Sequence, residues 1–269
     1  MFFDSHCHLD HPLLCSDLPR LIAAAKAAGV GRFLVPGVDP AGWPGIASIS
    51  DRFPEIYPAF GVHPMHADLL TSETAAELLR LAPLAAAIGE IGLDYADSEP
   101  PRETQRYAFL AQLRLAVQAR LPVLIHCRKA FGDLLEILTE EGVERIGGVM
   151  HAFSGSPEIA RECVRLGLHI SLAGSITYRN AVRPLAVAAA VPLQRLLLET
   201  DAPDLAPEPH RGGINLPEFL IETAKRVAAV RGISLEELAR ISTENALHLF
   251  SVPGQTYPHP TLPLKQRSS

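Results

Sequence analysis

Eight short apolar runs, each followed by a stretch of different character, constrain this chain more than any other feature. They fall at 2–3, 32–38, 56–60, 85–88, 123–125, 148–150, 169–172 and 196–198. Most are too short for buried helices, and several end in a Gly, His, Glu or Asp that breaks the run. Between them the spacing predicts helices at 18–28, 73–81, 103–120, 131–140 and 157–166, with the last two at 217–230 and 234–250. The clearest is 103–120, where Phe109, Leu113, Ala116 and Val117 recur at helical spacing beside Arg106, Gln112 and Arg114. The last opens at Ser234 with Glu237 three residues later, a capping-box pattern. Eight strands alternating with helices fit a (β/α)8 barrel, but a doubly wound open sheet alternates in the same way. Rhythm alone leaves both open.

Composition narrows the classes. With 269 residues, 48% of them hydrophobic and 20% charged, the chain can bury one large core without staples. The apolar fraction excludes a mainly disordered protein, and no segment approaches the run of about 20 apolar residues that a membrane span needs. Lys and Arg number 24 against 30 Asp and Glu, a net charge of −6, which removes the case for a generally basic nucleic-acid coat. A phosphate substrate stays admissible, because bound cations supply positive charge that the residue count omits. Cys7, Cys15, Cys127 and Cys163 are too sparse for a disulfide scaffold or a thiolate knuckle. Cys7 and Cys127 adjoin histidines, yet small buried side chains at strand ends account for them better than a Cys–His nucleophile. The first residues lack the marks of an export signal, so a cytoplasmic location is expected, with no membrane and no obligate protein partner. Residues 1–250 read as one catalytic domain, and 251–269, with four prolines and no periodicity, as a tail.

Polar residues decide between the two architectures. His6 and His8 directly follow the first apolar run. Residues two apart on a strand share a face, so both imidazoles can converge on one ion, with Asp4 and Asp10 placed to orient rings or organise the loop. Later runs repeat the pattern: 85–88 leads into Glu90, 123–125 into His126, 148–150 into His151 and 196–198 into Asp201. A carboxylate in such a place is costly unless paired or coordinated. A barrel gathers the C-terminal ends of its strands on one face, whereas an open sheet scatters positions taken from strands one, four, five, six and eight. Convergence therefore favours a barrel and a metal centre together. Core packing and helix capping explain each residue singly, but need several coincidences.

The strings DSHCHLD, GVHP, GEIGLDY, HCR, HAFSG and ETDAP, followed by an Arg-Gly pair and Asn-x-Pro, resemble in this order the TatD family of metal-dependent deoxyribonucleases. The resemblance runs from residue 4 to about 250. It implies a (β/α)8 TIM barrel of the metal-dependent hydrolase type, with a divalent-metal centre at the C-terminal ends of the strands. It further implies that His6, His8, Glu90 and Asp201 hold one ion and that Glu90, His126 and His151 hold a second, Glu90 bridging. Two divalent ions per chain are expected, Mg²⁺, Mn²⁺ or Zn²⁺; four histidines argue against a pure magnesium site, although magnesium supports nuclease activity in relatives. Two-metal centres stabilise both the attacking and the leaving oxygen of a phosphoryl transfer. Asp201, adjacent to the attacking water, would accept its proton or fix its direction, so Asp201 and Glu90 are the expected catalytic carboxylates. A carboxylated-lysine bridge, the other design in the wider barrel group, is disfavoured, because Glu90 holds the strand-four position and Lys129 falls three residues past His126.

Substrate contacts are expected from His63 and His66 in GVHPMH, Arg128 after His126, Ser154 beside Gly155, and Arg211 in the proline-rich loop after Asp201. The family has His at the position of His63, near the metals and the substrate phosphate, and Arg at the position of Arg211. Relatives commonly carry a basic residue where this chain has Gly213 and Glu where it has Leu216, departures that bear on the grip on substrate. Asn215 reads as a loop-fixing amide, Asp204 as secondary to Asp201, and His210 as a loop histidine. Trp43 and the tyrosines show no interleaved basic–aromatic pattern, so Tyr95 and Tyr178 read as packing aromatics rather than a stacking platform. The expected activity is 3′–5′ exodeoxyribonuclease action on single-stranded DNA ends, with RNA as a further substrate. A barrel metallohydrolase of a small ester, phosphoester or amide is the alternative enzyme. A non-catalytic binding or scaffold protein is the alternative class, and the intact ligand set argues against it.

Overall fold

The computed structural model describes residues 1–96 and 98–250; the stretch read as a tail, 251–269, lies outside them. Eight strands follow in chain order: β1 (Phe2–Asp4), β2 (Val30–Pro36), β3 (Ile56–Phe60), β4 (Ala87–Asp94), β5 (Val123–Arg128), β6 (Gly148–Met150), β7 (Leu168–Leu172) and β8 (Leu196–Leu198). Each pairs in parallel with the next. Parallel neighbours need crossover connections, and helices covering the sheet explain why the strands read as nearly continuous apolar runs. The helices are α1 (Leu18–Ala28), α2 (Trp43–Arg52), α3 (Ser72–Leu81), α4 (Arg102–Ala119), α5 (Phe131–Glu141), α6 (Pro157–Arg165), α7 (Arg183–Ala190), α8 (Leu220–Arg231) and α9 (Leu235–Leu249). The Ser5 N–H donates to Leu198 O at 3.0 Å, so the last strand meets the first and the sheet rolls into a nearly closed barrel. The open sheet is excluded.

Three details differ from the sequence reading. The helices α2 and α7 were not expected. The stretch 217–230 divides into a 3-10 turn (Pro217–Phe219) and α8. Strands β4 and β5 run on through Glu90 and His126, so these residues lie within strands rather than after them. The cap at Ser234 is present, its hydroxyl accepting the Glu237 N–H at 3.1 Å.

Strand alternation sorts the core into two layers. Phe33, Val35, Val123, Ile125, Leu196 and Leu198 lie in the layer under the helices. Leu34, Leu124 and Leu197, between them, point into the barrel with Phe3, Ala59, Ala87 and Val149. Ala246, Leu247 and Leu249 of α9, with Phe250 beyond it, pack on this inward set and close the N-terminal end of the barrel. Phe250 and Phe3 stack there with ring centroids 5.8 Å apart. Two residues further along the same strands, the inward positions become Ser5, His126, His151 and Glu199. The barrel is therefore mostly apolar at its base, where His169 beside Val149 is the exception, and polar at its mouth.

Helix α4 steadies that mouth with two glutamines. Gln112, expected on the polar face, is buried, as is Gln105 two turns earlier. Gln112 Oε1 accepts the Val62 N–H at 2.7 Å and its Nε2 donates to Val62 O at 3.0 Å, fixing the chain just before His63. Gln105 Oε1 accepts the Asp94 N–H at 2.8 Å at the end of β4. Replacing Gln112 with Leu leaves a buried N–H and carbonyl without partners, so stability should fall by about 2–4 kcal/mol. Urea unfolding of Gln112→Leu measures this; a midpoint equal to the parent's would show that Val62 finds other partners.

Candidate metal centre

An irregularity in β4 turns Glu90 inward. Ile88 pairs with Val123, but Ile91 pairs with Ile125, so β4 carries one residue more than β5 over this stretch. One extra residue inverts the alternation of side chains. Counted from inward Ala87, Glu90 would face the helices; past the bulge it faces the barrel axis, while Ile88, Ile91 and Leu93 stay in the outer layer. Gly92 allows the strands to close here, since it has φ +145° and a Cβ would lie 1.9 Å from His126 O.

Glu90 is buried, and histidines from four places converge on it. Its Oε1 lies 2.7 Å from His151 Nε2, 3.0 Å from His126 Nδ1 and 3.5 Å from His63 Nε2. Its Oε2 lies 3.3 Å from His6 Nε2. On the other flank His6 Nε2 and His8 Nε2 are 3.1 Å apart, with Asp201 Oδ1 3.5 Å from the first and 3.7 Å from the second. The chain beyond β1 and beyond β8 sets that flank. Asp4 accepts the Thr200 N–H at 2.9 Å and the Thr200 hydroxyl at 2.6 Å, the Asp201 N–H donates to His6 O, and the His8 N–H donates to Ala202 O. Asp201 adopts φ +58°, a region that Asp and Asn tolerate better than most residues. Thus all six expected ligands, His6, His8, Glu90, His126, His151 and Asp201, surround one point at the C-terminal mouth.

Burial and neighbouring charges shift the ionisable groups at this point in opposite directions. Burial would raise Glu90, but the charges of His151, His6 and His63 outweigh it and hold the carboxyl well below its usual range. Burial opposes protonation of His151, yet Glu90 and Glu199 hold that imidazole well above its ordinary value. His126 moves upward as well, because hydrogen bonds to Asp94 and Glu90 overcome burial. Burial, aided by neighbouring imidazoles, drives His8 down to about 3 and also lowers His6; it lowers His63 too. Asp201 is pushed far up by burial and by the charges of Glu199 and Glu90, against the pull of His151. Ring nitrogens of His6 and His8, and of His126 and His151, face each other at 3.1 and 3.2 Å around buried carboxylates. Convergent imidazole nitrogens and carboxylate oxygens of this kind fit divalent transition ions better than an all-oxygen Mg²⁺ site. Three donor groups, His6–His8–Glu90, His63–Glu90–His126 and His6–His151–Glu199, each have ligand atoms within 4.8 Å of one another.

The remaining expected residues are placed differently. His63 belongs to the cluster, its Nδ1 accepting the Met65 N–H at 3.1 Å while Nε2 faces Glu90. His66 closes the same turn through its N–H to His63 O and stands outside the cluster. Arg128 is largely exposed, its Nη1 3.9 Å from Asp94 Oδ2. Ser154 is exposed, and its carbonyl accepts from Arg183. Arg211 lies 4.1 Å over the Tyr178 ring and 3.8 Å from Glu208 Oε1, half-exposed on the rim. Tyr95 carries Arg102 over its ring and donates to Asp133, as a packing aromatic does. His210 stacks on Phe219 at 3.6 Å, and buried Asn215 ties the loop by donating to Thr200 O and Asp204 O. Burial pushes the Cys7 thiol far up and Cys127 to about 12, so neither supplies a thiolate. Sequence reasoning passed over two carboxylates: Asp94, four residues past Glu90, and Glu199, directly after the last apolar run. Their only signal was an acid at or beside the end of a buried strand.

Comparison with known proteins places the chain in a family. The family model described as TatD related DNase matches residues 3–251. An uncharacterized metal-dependent hydrolase of Bacillus subtilis, YabD, is 40% identical over 254 residues, covering 94% of this chain and 100% of that protein. The 3′-5′ ssDNA/RNA exonuclease TatD of Erwinia billingiae is 37% identical over 259 residues, covering 93% and 99%. The crystal structure of YjjV, a TatD homologue from Escherichia coli, matches with a TM-score of 0.89 at 33% identity, covering 94% and 98%. The chain therefore belongs to the TatD family of metal-dependent hydrolases.

Proposed function

We propose that this protein is a two-cation phosphodiester hydrolase that removes nucleotides from the 3′ end of single-stranded DNA and also acts on RNA. The observation that carries the reading is Glu90, turned into the barrel axis with each carboxylate oxygen facing imidazoles. In this reading Glu90 would bridge two ions, with His6, His8 and Asp201 completing the first site and His126 and His151 the second. Divalent cations held there would stabilise charge on the attacking and departing oxygens of a phosphoryl transfer. Asp201 Oδ1, beside His6 and His8, orients the attacking water and accepts its proton. His63 turns Nε2 toward the same centre and is placed to donate to a phosphate oxygen. Arg211 and Arg128 stand exposed at the rim for backbone phosphates, with Ser154 and His66 in the adjoining loops. The choice of chain ends as substrate follows relatives that bear the name 3′-5′ ssDNA/RNA exonuclease. Among the described residues no helix is long and apolar enough to cross a membrane. The four cysteines are free, and the location proposed for the protein is the cytoplasm.

Metal content tests the bridge. Glu90→Ala should lose both ions, whereas His151→Ala should retain the first and bind the second weakly, because an imidazole nitrogen serves one ion. Elemental analysis of protein reloaded with Zn²⁺ or Mn²⁺ gives ions per chain. Two ions in Glu90→Ala would end the bridging assignment.

Catalysis tests the substrate class. Asp201→Asn keeps size and backbone but removes the proton acceptor, so turnover should fall by about 10²–10⁴-fold. Arg211→Ala should leave metal content intact and lower kcat/KM by about tenfold, the worth of one charge-assisted contact. Both are read from nucleotide release on 3′- and 5′-labelled single-stranded DNA and RNA, with Mg²⁺, Mn²⁺ or Zn²⁺ supplied in turn. Wild-type turnover in Asp201→Asn would remove that residue from the chemistry. Silence of the metal-loaded parent on every nucleic acid would transfer the activity to a small ester, phosphoester or amide.

A further inference from the structure

His126 and His151 approach the same oxygen of Glu90, yet with unlike nitrogens. His126 turns Nδ1 to Glu90 Oε1 at 3.0 Å, whereas His151 turns Nε2 to it at 2.7 Å. Behind each ring stands a different carboxylate. Asp94 Oδ2 lies 3.0 Å from His126 Nε2, and Glu199 Oε1 faces His151 Nδ1 at 3.5 Å, a buried ring nitrogen that has no hydrogen-bond partner among the described residues. Both acids are held by the backbone. Asp94 accepts the Ala96 N–H at 2.9 Å, and its own N–H is fixed by Gln105. Glu199 is fully buried and accepts the Ala152 N–H, from the residue that follows His151.

We infer that Asp94 and Glu199 are positioning residues that lock His126 and His151 in opposite tautomers, so that both rings present a lone pair to the ion beside Glu90 Oε1. A neutral imidazole has one N–H and one lone pair, and an acceptor on one side assigns the proton to that side. Asp94 therefore keeps the proton of His126 on Nε2, and Glu199 keeps that of His151 on Nδ1. Had both rings the same tautomer, one would direct N–H at the bridge and could not ligate. Glu199 also falls within ligand distance of His6 and His151, which would make it a ligand itself. Its oxygen nearest His151 is already committed to Ala152 and lies on the side of the ring away from Glu90, which favours the positioning role. The inference rests on the two-ion reading and extends it to residues outside the six ligands.

The test uses the full chain, stripped with chelator and titrated with Zn²⁺, with ¹⁵N-labelled histidine. Long-range ¹H–¹⁵N spectra of the loaded parent should show the His126 proton on Nε2 and the His151 proton on Nδ1. Glu199→Gln and Asp94→Asn keep the shapes but lose the charges, so each should weaken the second Zn²⁺ by about 10–100-fold and leave the first unchanged. Matching tautomers for the two rings overturn the inference even if no variant folds. Folded variants with parental affinity for the second ion overturn it as well, and so does loss of a whole ion from Glu199→Gln, which would make Glu199 a ligand. A parent that binds only one Zn²⁺ would overturn the two-ion reading itself, and this inference with it.

Discussion

The seam between β1 and β8 is the contact on which the rest of the structure depends. Each of these strands spans only three residues, so ladder pairing alone would hold them weakly. The closure is carried past the strand ends, where Ser5, His8 and Asp201 exchange backbone bonds with Leu198, Ala202 and His6. Asp4 clasps the join with both carboxylate oxygens on Thr200. Burial pushes Asp4 up to about 7, and the bonds from Thr200 and the His6 backbone work against that shift. The same bonds that shut the barrel set His6, His8 and Asp201 side by side. Closing the fold and assembling one flank of the centre are therefore a single event.

Much of this was readable from the residues, because apolar runs and polar breaks follow directly from which positions are buried. The runs 56–60, 148–150 and 196–198 coincide with β3, β6 and β8 residue for residue. Helix α2 escaped notice because Pro44 and Gly45 stand in its first turn, where Pro is in fact well tolerated. Helix α7 escaped because its mostly small apolar residues show no polar contrast to mark a face. Gln112 looked like surface, and only the depth of Val62 beneath α4 gives its amide a buried partner. The six clustered side chains were found, but not for the reason strand alternation gives. Simple parity from Ala87 sends Glu90 outward, and a bulge is a property of two paired strands that one strand's sequence does not announce. Asp94 and Glu199 went unseen for a related reason: their meaning lies in the imidazoles they face.

The polar mouth and the apolar base divide the molecule's physical tasks. Leu34, Leu124, Leu197 and their neighbours bury hydrocarbon where the strands begin, while the next inward position on several strands is a histidine, serine or acid. Buried carboxylates and desolvated imidazoles cost free energy, and most of them cluster at the mouth, with His169 on β7 a buried imidazole nearer the base. The stabilising part of the barrel is thus separated from the destabilising part by one repeat of strand alternation.

The closed base has a further consequence for traffic. Phe3 and Phe250, stacked where α9 meets the strand starts and both almost fully buried, fill the barrel at its base. Anything hydrolysed at the centre enters and departs through the mouth, so incoming substrate and departing product compete for the same opening. Successive turnovers are then ordered by egress: product has to clear the rim before the next substrate can enter. In a barrel plugged this way, the loops after β1, β3, β7 and β8 govern not only what is admitted but also how soon the centre is free again.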